Sequence, residues 1–108
     1  MLISKPWGSE DVWAHTHKYV GKILFIKDGH RLSKQYHSIK DESIMVLTGE
    51  MTLLINDSEV VLKPGDSYHI LPGDVHRFMA KNGDVTLVEV STPELDDICR
   101  IEDDYARV

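Results

Sequence analysis

Cysteine is almost missing from this chain. Cys99 stands alone, so no internal disulfide can form, and a reducing compartment is the expectation. Its expected place is that of a small buried hydrophobe. No apolar run approaches the roughly 20 residues that span a bilayer, so no membrane partner is expected. The opening Met1-Leu2-Ile3-Ser4-Lys5-Pro6 lacks the basic-then-apolar order of a secretory leader, which makes the cytoplasm the expected location. Linkers, repeats, low-complexity stretches and long 3.6-period stripes are absent as well. What remains is 108 residues of ordinary globular composition, enough for one domain with one core.

Positive charge is scarce overall, with a formal net charge of −6, yet it is concentrated. The stretch from Lys18 to Lys40 holds Lys18, Lys22, Lys27, Arg31, Lys34 and Lys40 against Asp28 alone. The rest of the chain is strongly acidic and would repel a long polyanion, so a small anionic ligand is favoured over nucleic acid, and no nucleic-acid partner is expected. The competing account is a set of solvated lysines at alternate strand positions.

Turn residues divide the chain into short strands. Tyr19 to Lys27, Ser43 to Leu47, Glu50 to Ile55, Glu59 to Leu62, Ser67 to Leu71, His76 to Ala80 and Val85 to Ser91 read as strands. Asn56-Asp57-Ser58 is a hairpin signal, while Lys63-Pro64-Gly65-Asp66 and Pro72-Gly73-Asp74 are turns. A short helical turn is expected over Pro93 to Asp97, with Thr92 as its N-cap. This pattern predicts an all-β sandwich or barrel. Several strands are apolar on both faces: Ile44 and Val46 oppose Met45 and Leu47. Part of the outer surface should therefore be covered. A second copy of the chain, giving a homodimer, is the first expectation, and the chain's own terminal segments are the alternative.

The residues with most chemistry are Gln35, His37, Glu42 and His76. Gln35 and His37, two apart, share a strand face. Glu42 lies an odd five residues beyond His37, so the polar stretch Ser38-Ile39-Lys40-Asp41 must turn or bulge to bring both to one side. Glu42 then shares a face with Ile44 and Val46, and His76 with Phe78 and Ala80. An amide oxygen, two imidazoles and a carboxylate suit a divalent ion with room for water or substrate. Periodicity alone leaves a second reading open, that of a carboxylate in a tight turn and two unrelated histidines.

The run Gly29-His30-Arg31-Leu32-Ser33-Lys34-Gln35-Tyr36-His37, followed by Glu42 and Gly49, resembles the first cupin motif. Gly65, Gly73 and His76 resemble the second, with Leu71 where proline is usual and Pro72 displaced by one. Together with Lys5-Pro6-Trp7-Gly8 and the stretch from Asp97 to Tyr105, these motifs resemble the type II mannose-6-phosphate isomerase domain. That domain usually forms the C-terminal part of bifunctional isomerase/mannose-1-phosphate guanylyltransferases. The resemblance runs from about Lys5 to Arg107 and leaves no room in these residues for a guanylyltransferase domain.

The resemblance implies a single-domain cupin over 1–108, a double-stranded β-helix or jelly-roll barrel. It implies metal-dependent isomerisation of mannose 6-phosphate to fructose 6-phosphate, with metal ligands Gln35, His37, Glu42 and His76. Zinc is the first expectation, and manganese, cobalt, nickel and iron are compatible. Arg31 matches an arginine that serves the isomerase reaction, as catalytic and substrate-binding residue. Lys22 stands where the family also has lysine and is a second contact for the sugar phosphate. Arg100 is a third, with nearby acidic residues as rival partners. His15, His17, His30, His69, Trp7 and Trp13 are read as surface, structural or packing residues, and Asp103 and Asp104 as solvated. Ser38-Ile39-Lys40 and Ser43-Ile44 replace a histidine-rich stretch and a His-Trp pair usual in the family. The alternatives are a sugar-phosphate-binding cupin without turnover and a different metal cupin enzyme such as a dioxygenase.

Overall fold

A computed structural model of the chain describes residues 1–107. The described residues form eleven strands and no helix. Six antiparallel strands make one sheet in the order β1 (Leu2–Lys5), β2 (Gly8–His15), β3 (Val20–Ile26), β10 (Val85–Ser91), β5 (Glu42–Thr48) and β8 (Ser67–Ile70). Five make the other, ordered β11 (Cys99–Glu102), β4 (Lys34–Tyr36), β9 (His76–Met79), β6 (Met51–Ile55) and β7 (Ser58–Leu62).

The core lies between the sheets, and strand parity fills it. Leu24 and Ile26, Val85 and Leu87, and Ile44 and Val46 face inward from the larger sheet. Met51, Leu53, Ile55, Leu62 and Phe78 meet them from the smaller one. Each buries one face of a period-two pattern, the main source of stability in such a packing. The hairpin at Asn56-Asp57 is present: Ile55 pairs with Ser58, and Asn56 turns the corner at φ +52°. Gly49 also has a positive φ, +82°, and a Cβ there would lie 2.1 Å from the Asp84 carbonyl oxygen. Only glycine fits that crossing.

On the outer face of the larger sheet, Met45, Leu47 and Val90 remain 38%, 40% and 47% exposed. The N-terminal segment does not cover them, because β1 and β2 extend that sheet sideways instead.

Two local expectations are corrected. Residues 93–97 form a non-helical turn, with Leu95 N–H donating to the Pro93 carbonyl and Asp97 N–H to that of Glu94. Thr92 does not cap a helix. Its hydroxyl accepts from the Asp41 amide at 3.0 Å, and its own amide donates to the Asp41 carbonyl. Cys99 is exposed, not buried, because it lies on edge strand β11 opposite Tyr36.

Candidate metal centre

Three of the four residues singled out as ligands converge. His37 follows directly on β4, Glu42 opens β5 and His76 opens β9, so both sheets contribute at one end of the barrel. All three are at most 2% exposed, and their ligating atoms lie within 4.8 Å of one another. His37 Nε2 is 2.9 Å and His76 Nε2 is 3.2 Å from the same carboxylate oxygen, Glu42 Oε1.

The second nitrogen of each ring decides what those contacts are. His37 Nδ1 donates to the Asp97 carbonyl at 2.5 Å, and His76 Nδ1 donates to the Asp74 carbonyl at 2.9 Å. A carbonyl only accepts, so each neutral ring carries its proton on Nδ1 and a lone pair on Nε2. Two lone pairs then face a carboxylate. Among the described residues, both Nε2 atoms and both Glu42 oxygens lack a hydrogen-bond partner although buried. Buried polar atoms without partners cost free energy. A cation at their centre satisfies all of them, and the carbonyl-bound imidazole is the usual support of a metal-ligating histidine. The donor set of two imidazoles and one carboxylate fits a divalent ion.

Gln35 stands opposite His76 in the β4–β9 pairing. Its amide oxygen accepts from the Ser33 hydroxyl at 2.6 Å, which leaves that oxygen a second lone pair. Gln35, Phe78 and Glu89 form the inner wall of a cavity beside the cluster, and Phe78 packs on the His76 ring at 5.7 Å.

Glu89, on the inward parity of β10, was not anticipated. It is 5% exposed, and its Oε2 is 3.8 Å from Lys40 Nζ, itself buried. Burial, then the neighbouring Glu42 charge, push the Glu89 pKa well up. Burial alone would raise Glu42 too. The approach of Glu89, His37 and His76, and then the charge of Lys40, outweigh it and hold Glu42 well below the carboxylate range. Of the two carboxyls, Glu42 is thus the one favoured to carry the negative charge and Glu89 the one favoured to keep its proton. A glutamate at an inward position of an otherwise apolar strand was the available signal.

The anion candidates separate. Lys22 lines the cavity and pairs with Glu10 at 2.7 Å. Arg100 enters the cavity from β11, opposite Gln35, and its buried Nε has no hydrogen-bond partner. The acidic neighbours do not claim it: among the described residues no ion pair to Arg100 forms. Arg31 does not line this cavity. Its Nε and Nη2 donate to Asp104 at 2.7 and 2.9 Å, and it borders a separate hollow with His30 and Met79. Asp104 also accepts from the buried Arg77, while Asp103 is held by Arg107. The two aspartates are therefore ion-paired, and not merely solvated.

Trp7 is core, Trp13 is 54% exposed over Gly21, and His15, His17 and His69 are at the surface. His30 stacks on Tyr105.

The family model for the C-terminal domain of mannose-6-phosphate isomerase matches residues 1–103. The chain belongs to this family. Alginate biosynthesis protein AlgA of Pseudomonas aeruginosa is 33% identical over 97% of the chain, which spans 23% of that protein's length. The fold is the cupin double-stranded β-helix. KdgF from Halomonas superposes with a TM-score of 0.82 at 19% identity, covering 90% of this chain and 89% of that one. A cupin-superfamily sugar phosphate isomerase from Silicibacter pomeroyi superposes at 0.71 and 22% identity, covering 78% of this chain and 58% of that one. Among the described residues of this cupin, no helix is long and apolar enough to cross a membrane.

Proposed function

We propose that this cupin is a metal-dependent aldose–ketose isomerase of a sugar phosphate, with mannose 6-phosphate and fructose 6-phosphate as the first pair to test. The observation that carries the reading is the buried His37–Glu42–His76 cluster, its ligand atoms unpartnered, beside a cavity that holds the unpaired Nε of Arg100. Family membership supports it.

His37, Glu42 and His76 would hold the ion, with Gln35 as the fourth ligand and zinc as the first choice. A bound divalent cation supplies Lewis-acid polarisation of the sugar's carbonyl and its neighbouring hydroxyl. Arg100 and Lys22 bind the anionic group and orient the sugar. Glu89 is placed to move the proton between C2 and C1. It is a cavity-wall carboxyl outside the ligand set, with Lys40 Nζ 3.8 Å away, whereas Glu10 is held by Lys22 at 2.7 Å and Lys5 at 3.5 Å. Phe78, Leu24 and Leu32 are the apolar part of a wall that is otherwise mostly polar. A second copy of the chain is the expected partner, seated on Met45, Leu47 and Val90.

One observation favours a second reading, a sugar-phosphate-binding domain without turnover: Arg31 is tied to Asp104 outside the cavity. A coupled assay of the zinc-, manganese- or cobalt-reconstituted protein against hexose phosphates decides between them. Conversion abolished by His37→Ala supports the isomerase. Thermal stabilisation by the sugar phosphate with no conversion supports the binding domain, and iron-dependent oxygen uptake would point to a dioxygenase.

A further inference from the structure

Delivering Glu42 to the face of His37 across an odd spacing needs a device, and the device comes from the far end of the chain. One carboxylate, Asp97, accepts three successive backbone N–H groups: Ser38 on Oδ1 at 3.0 Å, and Ile39 and Lys40 on Oδ2 at 2.6 and 2.9 Å. The same residue's carbonyl takes the His37 Nδ1 proton at 2.5 Å. Three amides converging on one carboxylate form an anion nest built from main chain. These three amides have no other partner among the described residues. Thr92 fixes the next residue, Asp41, from the same incoming segment.

We propose that Asp97 is the positioning residue of the metal centre. Its carboxylate holds the turn that sets Glu42 against His37, and this hold keeps its carbonyl on the His37 ring. The proposal rests on the metal reading above. It assigns to Asp97 no contact with substrate or ion. Asp97 sits one residue before Ile98 and three before Arg100, both on the cavity wall, so the same segment that shapes the cavity also shapes the ligand set.

The test is Co²⁺ titration of the full chain, followed by ligand-field absorption and calorimetry, with Zn²⁺ competition. Asp97→Ala raises the Co²⁺ Kd about 10- to 100-fold, the usual effect of losing a residue that orients metal ligands, and changes the absorption envelope. Asp97→Asn, whose amide oxygen still accepts, falls between the two and serves if the alanine variant does not fold. Asp104→Ala frees the same C-terminal segment from Arg31 and Arg77 and leaves the Co²⁺ Kd and spectrum unchanged. Wild-type Kd and spectrum in both Asp97 variants would overturn the proposal alone. So would equal weakening in Asp104→Ala, since general loosening then explains the effect. A wild-type chain that binds neither Co²⁺ nor Zn²⁺ overturns the metal reading together with it.

Discussion

Nε2 of His37 lies 2.9 Å from Oε1 of Glu42, and with the ring's one proton already given to Asp97 the contact has no hydrogen to share. Replacing Glu42 with glutamine inserts an amide donor where two lone pairs meet. The metal-free Glu42→Gln variant should therefore melt at or above the metal-free wild type. It should also lose most of the stabilisation that added zinc confers, which at 100 times Kd is about 2.7 kcal/mol. Paired thermal scans with chelator and with zinc read both signs. A variant that melts well below wild type in chelator would argue against the lone-pair account.

Glu89→Gln keeps the shape of the wall and removes the proton carrier. Loss of a general acid–base group costs about 10²- to 10⁴-fold in rate. The expected result is a drop of that size in kcat with KM nearly unchanged, measured on mannose 6-phosphate. Undiminished turnover would move proton transfer to another group.

Arg100 and Arg31 should behave differently. Arg100→Ala removes the cavity's unpaired donor and should raise KM for the sugar phosphate at least tenfold. Arg31→Ala removes a half-exposed pair to Asp104, where an exposed ion pair is worth about 0–1 kcal/mol. Its main effect should be a looser C-terminal segment. Steady-state kinetics on both variants decide, and a larger kinetic loss from Arg31→Ala would return that residue to the reaction itself.

Acid should release the C-terminal segment. Arg107 beside Asp103 and Arg31 beside Asp104 hold both carboxyls below their ordinary value of 3.8. A depressed folded pKa stabilises the fold above the unfolded value and ceases to do so as pH falls through the folded one. Protection of residues 99–107 should thus be flat from pH 8 to about 5 and fall below about 3.8. Amide exchange by NMR follows it. A midpoint near 6 would implicate histidines instead.

Met45 lies beside Val88 across the β5–β10 pairing and is 38% exposed. If a second copy covers this face, Met45→Glu places a charge in an apolar contact. Sedimentation should then show the variant as a monomer at concentrations where the wild type is a dimer. A monomeric wild type would leave the outer face without that partner.

The strands with clean alternation were legible from residue type alone. Val85 to Ser91 forms as read, and Ile44, Val46, Phe78 and Ala80 are buried on the parity assigned to them. The short or polar strands were not. Gly8–His15 carries Ser9, Glu10 and Asp11, and is held chiefly by main-chain pairing to β3. Cys99–Glu102 lies on a sheet edge, where little apolar patterning is required. In the site, His37, Glu42 and His76 could be picked out because short spacing and residue type mark ligands. Asp97 could not, for it is one of several acidic residues near the C-terminus, and its role exists only once the chain has brought it back across 57 to 60 positions. Arg31 shows the converse: a motif match fixes a residue's place in the chain, while its partner, Asp104, is set by folding.

The stretch that closes the turn after His37 is synthesised after every strand that bears a ligand. Every ligand-bearing strand emerges from the ribosome before Asp97 does, so a nascent chain can at most cradle an ion loosely. Firm capture must await the synthesis of Asp97, and a chain cut short before it should let its ion exchange freely with the surrounding pool.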